Sequence, residues 1–143
     1  MTGPYLFHYD PPSAADEGDE LSIQVRIRAR MRIIAPSLKL VAAPNAAKRT
    51  AWAAQKAKAE GMTKGMPDLQ ALWSNGCGAA AVPGVAFLEI KQRKGSLSPE
   101  QIDILNWLHN AGFPCGCFRS VASAEAFLKA SGAPFLFSQE IAA

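Results

Sequence analysis

The alternation of apolar and polar positions along the 143 residues predicts eight elements. The first, "ELSIQVRIRARMRIIAP", admits two periods: Arg26, Arg28, Arg30 and Arg32 alternate with apolar residues as on a half-buried strand, whereas Ile23, Ile27, Met31 and Ile34 form a helical stripe. Length favours the helix, because about fifteen residues exceed an ordinary strand of ~5–6. Asp19 stands at the N-cap, Glu20 suits the first turn and Pro36 lies just beyond the end. "LKLVAAPN" predicts a short strand ending at Pro44 and Asn45, and "AAKRTAWAAQKAKAEG" an Ala-rich helix stopped by Gly61. After the turn "MTKGMP" a strand is expected at about 68–73, then a Gly/Ala/Pro-rich loop through 84, then the strand "VAFLEIK".

Ser98-Pro99-Glu100-Gln101 opens the next helix. Serine caps, proline takes the first helical position and glutamine stands where a capping box needs it. That helix should run to about Ala111, burying Ile102, Leu105, Leu108 and part of Trp107, with Gly112 ending it. "PCGCFRS" follows as a strand and "VASAEAFLKASG" as a last helix closed by Gly132. The order implies an α/β layer fold, a central mixed β-sheet flanked by α-helices. Residues 1–19, rich in Pro, Gly and acids, form an N-terminal arm or tail whose Tyr5, Phe7 and Tyr9 could dock on the body or on a second subunit; residues 20–143 form one domain.

Charge sharpens the picture. The net value of +3 hides an asymmetry: residues 1–20 hold five acids and no Lys or Arg, while residues 21–60 hold nine Lys or Arg and the single acid Glu60. A basic region of this kind suits a polyanion, although charged faces are also simply solvated. The sequence lacks a stretch of ~20 apolar residues and a signal-peptide pattern, so a soluble cytoplasmic protein is expected. Cys77, Cys115 and Cys117 match neither a disulfide framework nor a common zinc spacing, even with His109.

Candidate chemistry begins at "GMPDLQALW", where the acid Asp68 precedes an apolar run. In "FLEIK" a strand puts Phe87, Glu89 and Lys91 on one face and Leu88 and Ile90 on the other. If the strand starting at Asp68 pairs with this one, two carboxylates and an ammonium converge at one end of the sheet. Mg²⁺ accepts such oxygen ligands while keeping part of its hydration shell, and a neighbouring lysine can orient a nucleophile or help remove its proton. Spacing alone leaves a second reading open, in which Asp68 is a turn residue and Glu89 with Lys91 a weak surface pair.

"GMTKGMPDLQALW…FLEIKQRKGSLSPEQIDILNWLHNAGF" resembles the PD-(D/E)XK nuclease superfamily and, within it, the VRR-NUC family, over about Glu20 to Phe127. The P-D, the E-x-K, the basic-glycine turn and the S-P-x-Q helix start occur in the family's order; "ELSIQ" is similar to its first-helix acid followed by glutamine, and "APN" to the strand end before its second helix. The resemblance implies a restriction-endonuclease-like core, with Asp68, Glu89 and the Ile90 carbonyl as metal ligands and Lys91 as catalytic lysine. Gln101 would reach the site from the helix start, a role compatible with capping. Glu20 would supply an outer or direct metal contact, with Glu17 its rival and Gln24 its support one turn on.

Asn45, Lys48, Arg49, Lys64, Arg93 and Lys94 are the candidates for DNA contact, with plain solvent exposure as the other reading of each. Trp52 and Trp107 could stack on bases, but on amphipathic helices they are expected in the core. Short stand-alone members of the family resemble homodimeric Holliday-junction resolvases, which implies a Mg²⁺-dependent endonuclease of branched DNA, with Mn²⁺ as substitute metal and two subunits making symmetric incisions. The competing expectations are a flap or nicking nuclease of phage replication or packaging and a non-catalytic DNA-binding protein on a nuclease scaffold.

Overall fold

The computed structural model describes residues 5–13, 17–43, 51–59, 61 and 63–136. Along the chain run β1 (His8–Tyr9), α1 (Glu20–Ile34), β2 (Lys39–Ala42), α2 (Ala51–Ala59), β3 (Leu69–Asn75), β4 (Val82–Ile90), α3 (Pro99–Asn110), β5 (Cys115–Phe118) and α4 (Val121–Ala130). The strands form one mixed sheet in the order β1-β5-β4-β3-β2. β2, β3 and β4 pair antiparallel, while β4 with β5 and β5 with β1 pair parallel. The α/β fold with a five-stranded mixed sheet and flanking helices is thus the one the residue pattern predicts, and each of the eight expected elements is present.

Alternation along β4 assigns the two faces. Ala86, Leu88 and Ile90 join Ile23, Ile27, Met31 and Ile34 of α1 and Ala124 and Leu128 of α4 in one core. Phe87 on the opposite face packs with Leu105 and Leu108 of α3, Cys115 and Cys117 of β5, and Phe7 of the arm. The arginine-rich stretch is a helix because its stripe at i, i+4 and i+8 is buried whole, and Asp19 caps it by accepting from the Ser22 N–H at 2.8 Å. Ser98 and Gln101 make the reciprocal capping box of α3.

Three expectations need correction, and one that was open is narrowed. The loop between β3 and β4 is shorter than expected, since β3 runs on to Asn75 and β4 begins at Val82. Pro83 is accommodated because β5 joins β4 only from Phe87 onward, leaving one side of that stretch unpaired. Gly84 sits opposite Trp73, where a Cβ would lie 2.2 Å from the indole; the missing side chain lets that ring lie across the strand at 8 % exposure. Gly84→Ala is therefore expected to destabilise the protein by about 1–3 kcal/mol in urea unfolding, and an unchanged midpoint would refute this packing.

The arm, for which the body and a second subunit were both open as docking places, contains β1, and Phe7 is buried. It seats against its own chain's β5 at Gly116, where a Cβ would meet the His8 carbonyl at 2.8 Å. Secondly, Trp52 and Trp107 do not enter the core: they are 71 % and 62 % exposed. Lys56 lies over the Trp52 ring at 5.6 Å, and Trp107 stacks on Phe113 with centroids 6.4 Å apart. Finally Ile102 is half-buried rather than buried, and Ile104 is the isoleucine of α3 that packs against the second core cluster. Among the described residues no helix is long and apolar enough to cross a membrane.

Candidate active site

The register of β3 with β4 joins the two acids. Leu69 pairs with Leu88, so one step further along the antiparallel ladder Asp68 falls opposite Glu89. Both leucines are fully buried on the α1 side, which sends the acids to the α3 side by alternation. The Ile90 N–H donates to Asp68 Oδ2 at 2.8 Å, and the Ala43 N–H donates to the Asp68 carbonyl at 2.8 Å. Asp68 is therefore held from the strands on either side of its own.

Glu89 is only 1 % exposed. Its Oε2 accepts from Gln101 Nε2 at 3.1 Å and lies 3.6 Å from Lys91 Nζ. Among the described residues its Oε1, as a carboxylate oxygen, is buried without a hydrogen-bond donor. Burial is the main force pushing the Glu89 carboxyl up to about 9, followed by the negative charge of Asp68 and a hydrogen bond to Asp68 that Glu89 makes only when protonated; Lys91 opposes the rise and Glu20 adds to it. As an anion, Glu89 is thus under-compensated. Two carboxylates this close in a dry setting are relieved by a shared proton or by a cation.

One amide serves two purposes in Gln101. Its Oε1 accepts from the Ser98 N–H at 2.8 Å, closing the capping box, while its Nε2 holds Glu89. The start of α3 is in turn packed against the turn before Asp68: Gly65 has φ +93°, and a Cβ there would lie 2.7 Å from the Glu100 carbonyl carbon and oxygen. Both the left-handed backbone and the contact require glycine.

Glu20, the first residue of α1, is half-buried. A Cβ at Gly95 would lie 3.5 Å from both Glu20 Oε2 and Lys91 Cδ, so Glu20 and Lys91 border the same turn. Glu17 is engaged elsewhere, with its Oε1 3.5 Å from Arg26 Nη1 and accepting from the Val121 N–H, and its carbonyl accepting from Arg26. Among the described residues no three His, Cys, Asp or Glu side chains gather as a ready-made metal cluster. The structure thus brings together Asp68, Glu89, Ile90, Lys91 and Gln101, with Glu20 at the border.

The proposed DNA contacts are less gathered. Asn45, Lys48 and Arg49 lie outside the described residues. Lys64 is exposed, 3.9 Å from Glu100 at the head of α3. Arg93 is half-buried, and its carbonyl accepts from the Ser13 N–H at 3.0 Å; Lys94 is exposed on the same turn.

Residues 22–122 match the VRR-NUC domain. The chain belongs to the VRR-NUC family. The matched span includes Asp68, Glu89, Ile90, Lys91 and Gln101 and starts just after Glu20. No curated protein and no solved structure matches the chain. A VRR-NUC domain is a nuclease domain, so the chain has a nuclease-type role in DNA processing and binds DNA.

Residue patterns missed Arg119, which is 4 % exposed and bound to the arm and to the turn after β4. Its one signal in the VRR-NUC sequence is position. It is a charged residue directly after the wholly buried strand β5 and directly before the cap Ser120.

Proposed function

We propose that this VRR-NUC chain is a Mg²⁺-dependent endonuclease that hydrolyses phosphodiester bonds of branched DNA as a homodimer. The observation that carries the reading is the meeting of Asp68, Glu89, Lys91 and Gln101 around a buried carboxylate oxygen that has no hydrogen-bond donor among the described residues. The donor set fits a hard divalent ion: Asp68, Glu89 and the Ile90 carbonyl would hold it, and waters would fill its remaining positions. When bound, Mg²⁺, or Mn²⁺ in its place, supplies Lewis acidity and neutralises charge at the scissile phosphate.

The chain's own residues do the rest. The Ile90 N–H fixes one Asp68 oxygen, and the Gln101 amide fixes Glu89 Oε2, so that each carboxylate is oriented before substrate arrives. Lys91 Nζ, on the same side, orients the attacking water or takes part in removing its proton. Glu20 contributes negative charge at the border of the site.

Branched DNA and the homodimer rest on the resemblance to short stand-alone family members. They are tested by measuring solution mass and then cleaving a panel of duplex, flap, fork and four-way DNA in Mg²⁺. A dimer that makes paired incisions in the four-way substrate is the expected result. Preference for the flap substrate by a monomer would replace it with a flap nuclease, and binding in Ca²⁺ without cleavage in Mg²⁺ or Mn²⁺ would leave a DNA-binding scaffold.

Lys64 and Lys94 carry the phosphate contacts in this reading, since both are exposed at the edges of the site. Neutralising each should weaken binding evenly across sequences and lower the slope of log K against log salt by about 0.9 for duplex DNA. An unaltered slope would remove them from the interface.

A further inference from the structure

Arg119 is a buried cation that the proposed chemistry does not use. Among the described residues its guanidinium hydrogen-bonds to neutral groups alone: Nε donates to the Asp10 carbonyl at 2.8 Å, Nη1 to the Gln92 and Gly95 carbonyls at 2.7 Å each, and Nη2 to the Tyr9 hydroxyl at 3.0 Å. Its backbone N–H donates to Asp10 Oδ2 at 2.9 Å, and the guanidinium lies over the Tyr9 ring at 5.5 Å. Desolvating a guanidinium is costly, and the cost is met only by a full set of well-aimed acceptors. A planar five-donor fork can reach all four of these acceptors; a lysine ammonium cannot.

Three segments meet at this side chain: the N-terminal arm, the end of β5 and the turn that follows β4. The turn matters most, because it leaves directly from Lys91. The Lys91 N–H donates to the Phe118 carbonyl at 3.0 Å, and the Gly95 N–H closes the turn on the Gln92 carbonyl at 3.0 Å. Gly95 is also the residue whose missing Cβ borders both Lys91 Cδ and Glu20 Oε2. The arm reaches the turn a second time through the Ser13 N–H and the Arg93 carbonyl. Gripping the two ends of this turn therefore fixes a wall of the candidate site.

We propose that Arg119, together with Tyr9 and Asp10 of the arm, is a positioning residue that holds the 92–95 turn and so sets where Lys91 stands, the arm completing the site from within the same chain. The catalytic consequence rests on the nuclease reading; the grip on the turn does not. Full-length native chain is compared with Arg119→Lys, with Tyr9→Phe, which removes only the hydroxyl acceptor, and with Leu128→Ala, which opens the core on the opposite face of the sheet. Amide exchange at Lys91, Gly95 and Ser13 should quicken in Arg119→Lys by about tenfold or more, while amides of α3 and β3 keep their protection.

Single-turnover cleavage by Arg119→Lys should fall by up to ~10²-fold, the order expected for a small misplacement, with DNA affinity in Ca²⁺ unchanged. Tyr9→Phe should show the same signs at smaller size, which keeps the test open if Arg119→Lys does not fold. Leu128→Ala should lower the melting temperature yet cut at the native rate. Unchanged protection at Lys91 and Gly95 in both arm-side variants, or a loosened turn with native cleavage, would overturn the proposal. A native chain that cuts no DNA overturns the nuclease reading instead, and the exchange data still decide whether Arg119 holds the turn.

Discussion

Lys91→Ala is expected to slow phosphodiester cleavage by roughly 10²–10⁴-fold, the usual worth of a positioned proton-transfer group, and to leave DNA affinity in Ca²⁺ nearly unchanged. The lysine is 3.6 Å from Glu89 Oε2, with its side chain only 11 % exposed, so its loss is expected to be felt at the carboxylates rather than in DNA affinity. Asp68→Asn is the informative companion. An asparagine oxygen can still accept from the Ile90 N–H, which keeps the strand ends together, but a neutral amide is a poor ligand for a hard cation. Calorimetry with Mn²⁺ should therefore detect the ion in Lys91→Ala and lose it in Asp68→Asn, while both variants cut far more slowly than the native chain. Cleavage at the native rate by either would show that the reaction occurs elsewhere.

Glu89→Gln is expected to raise the melting temperature of the metal-free protein at pH 8 while abolishing cleavage. The folded chain holds the Glu89 proton up to about pH 9, against 4.5 for the free side chain. A carboxyl whose pKa is raised on folding favours the native state fully below the unfolded value, and the benefit is lost as pH climbs from 4.5 to 9. At pH 8 the metal-free protein thus bears most of the strain of a buried carboxyl between Asp68 and a dry core. Each pH unit in that window is worth at most about 1.4 kcal/mol, so a few kcal/mol are at stake. Glutamine keeps the shape and does not ionise when the chain unfolds. Thermal melts of native and variant from pH 4 to 9 should diverge as pH rises, and Mn²⁺ should lift the native curve alone. A variant less stable than native at pH 8 without metal would contradict the electrostatic account.

What could be read from residues was what local chemistry decides. The capping box of α3 and the apolar stripe of α1 are properties of neighbours within one or two turns, and both stand as expected. Asp68 and Glu89 could be paired in advance because strand alternation and a single antiparallel ladder suffice to bring them together. Gln101 was legible twice over, as a cap and as a reach into the site, and the side chain does both.

The rest depends on contacts that no local pattern encodes. β1 has only two residues, too few for a period, and its seat exists because Gly116, more than a hundred positions away, lacks a side chain. Arg119 and its partners on the arm are separated by a similar stretch, so its burial could not be foreseen from the residues around it. Trp52 and Trp107 misled because size suggests the core, whereas both stand outward at 71 % and 62 % exposure. Glu17, the rival of Glu20, likewise has partners that no local pattern announces, since the ends of α1 and α4 place Arg26 and Val121 against it.

In the proposed nuclease, Asp68 and Glu89 would hold one divalent ion beside Lys91. Anomalous diffraction from crystals grown in millimolar Mn²⁺ tests it most directly. The account predicts a manganese peak between the two carboxylates, with Glu89 Oε1 among its ligands and Gln101 still bonded to Oε2. Carboxylates that stay in place with no peak between them, or manganese bound only elsewhere on the chain, would contradict it.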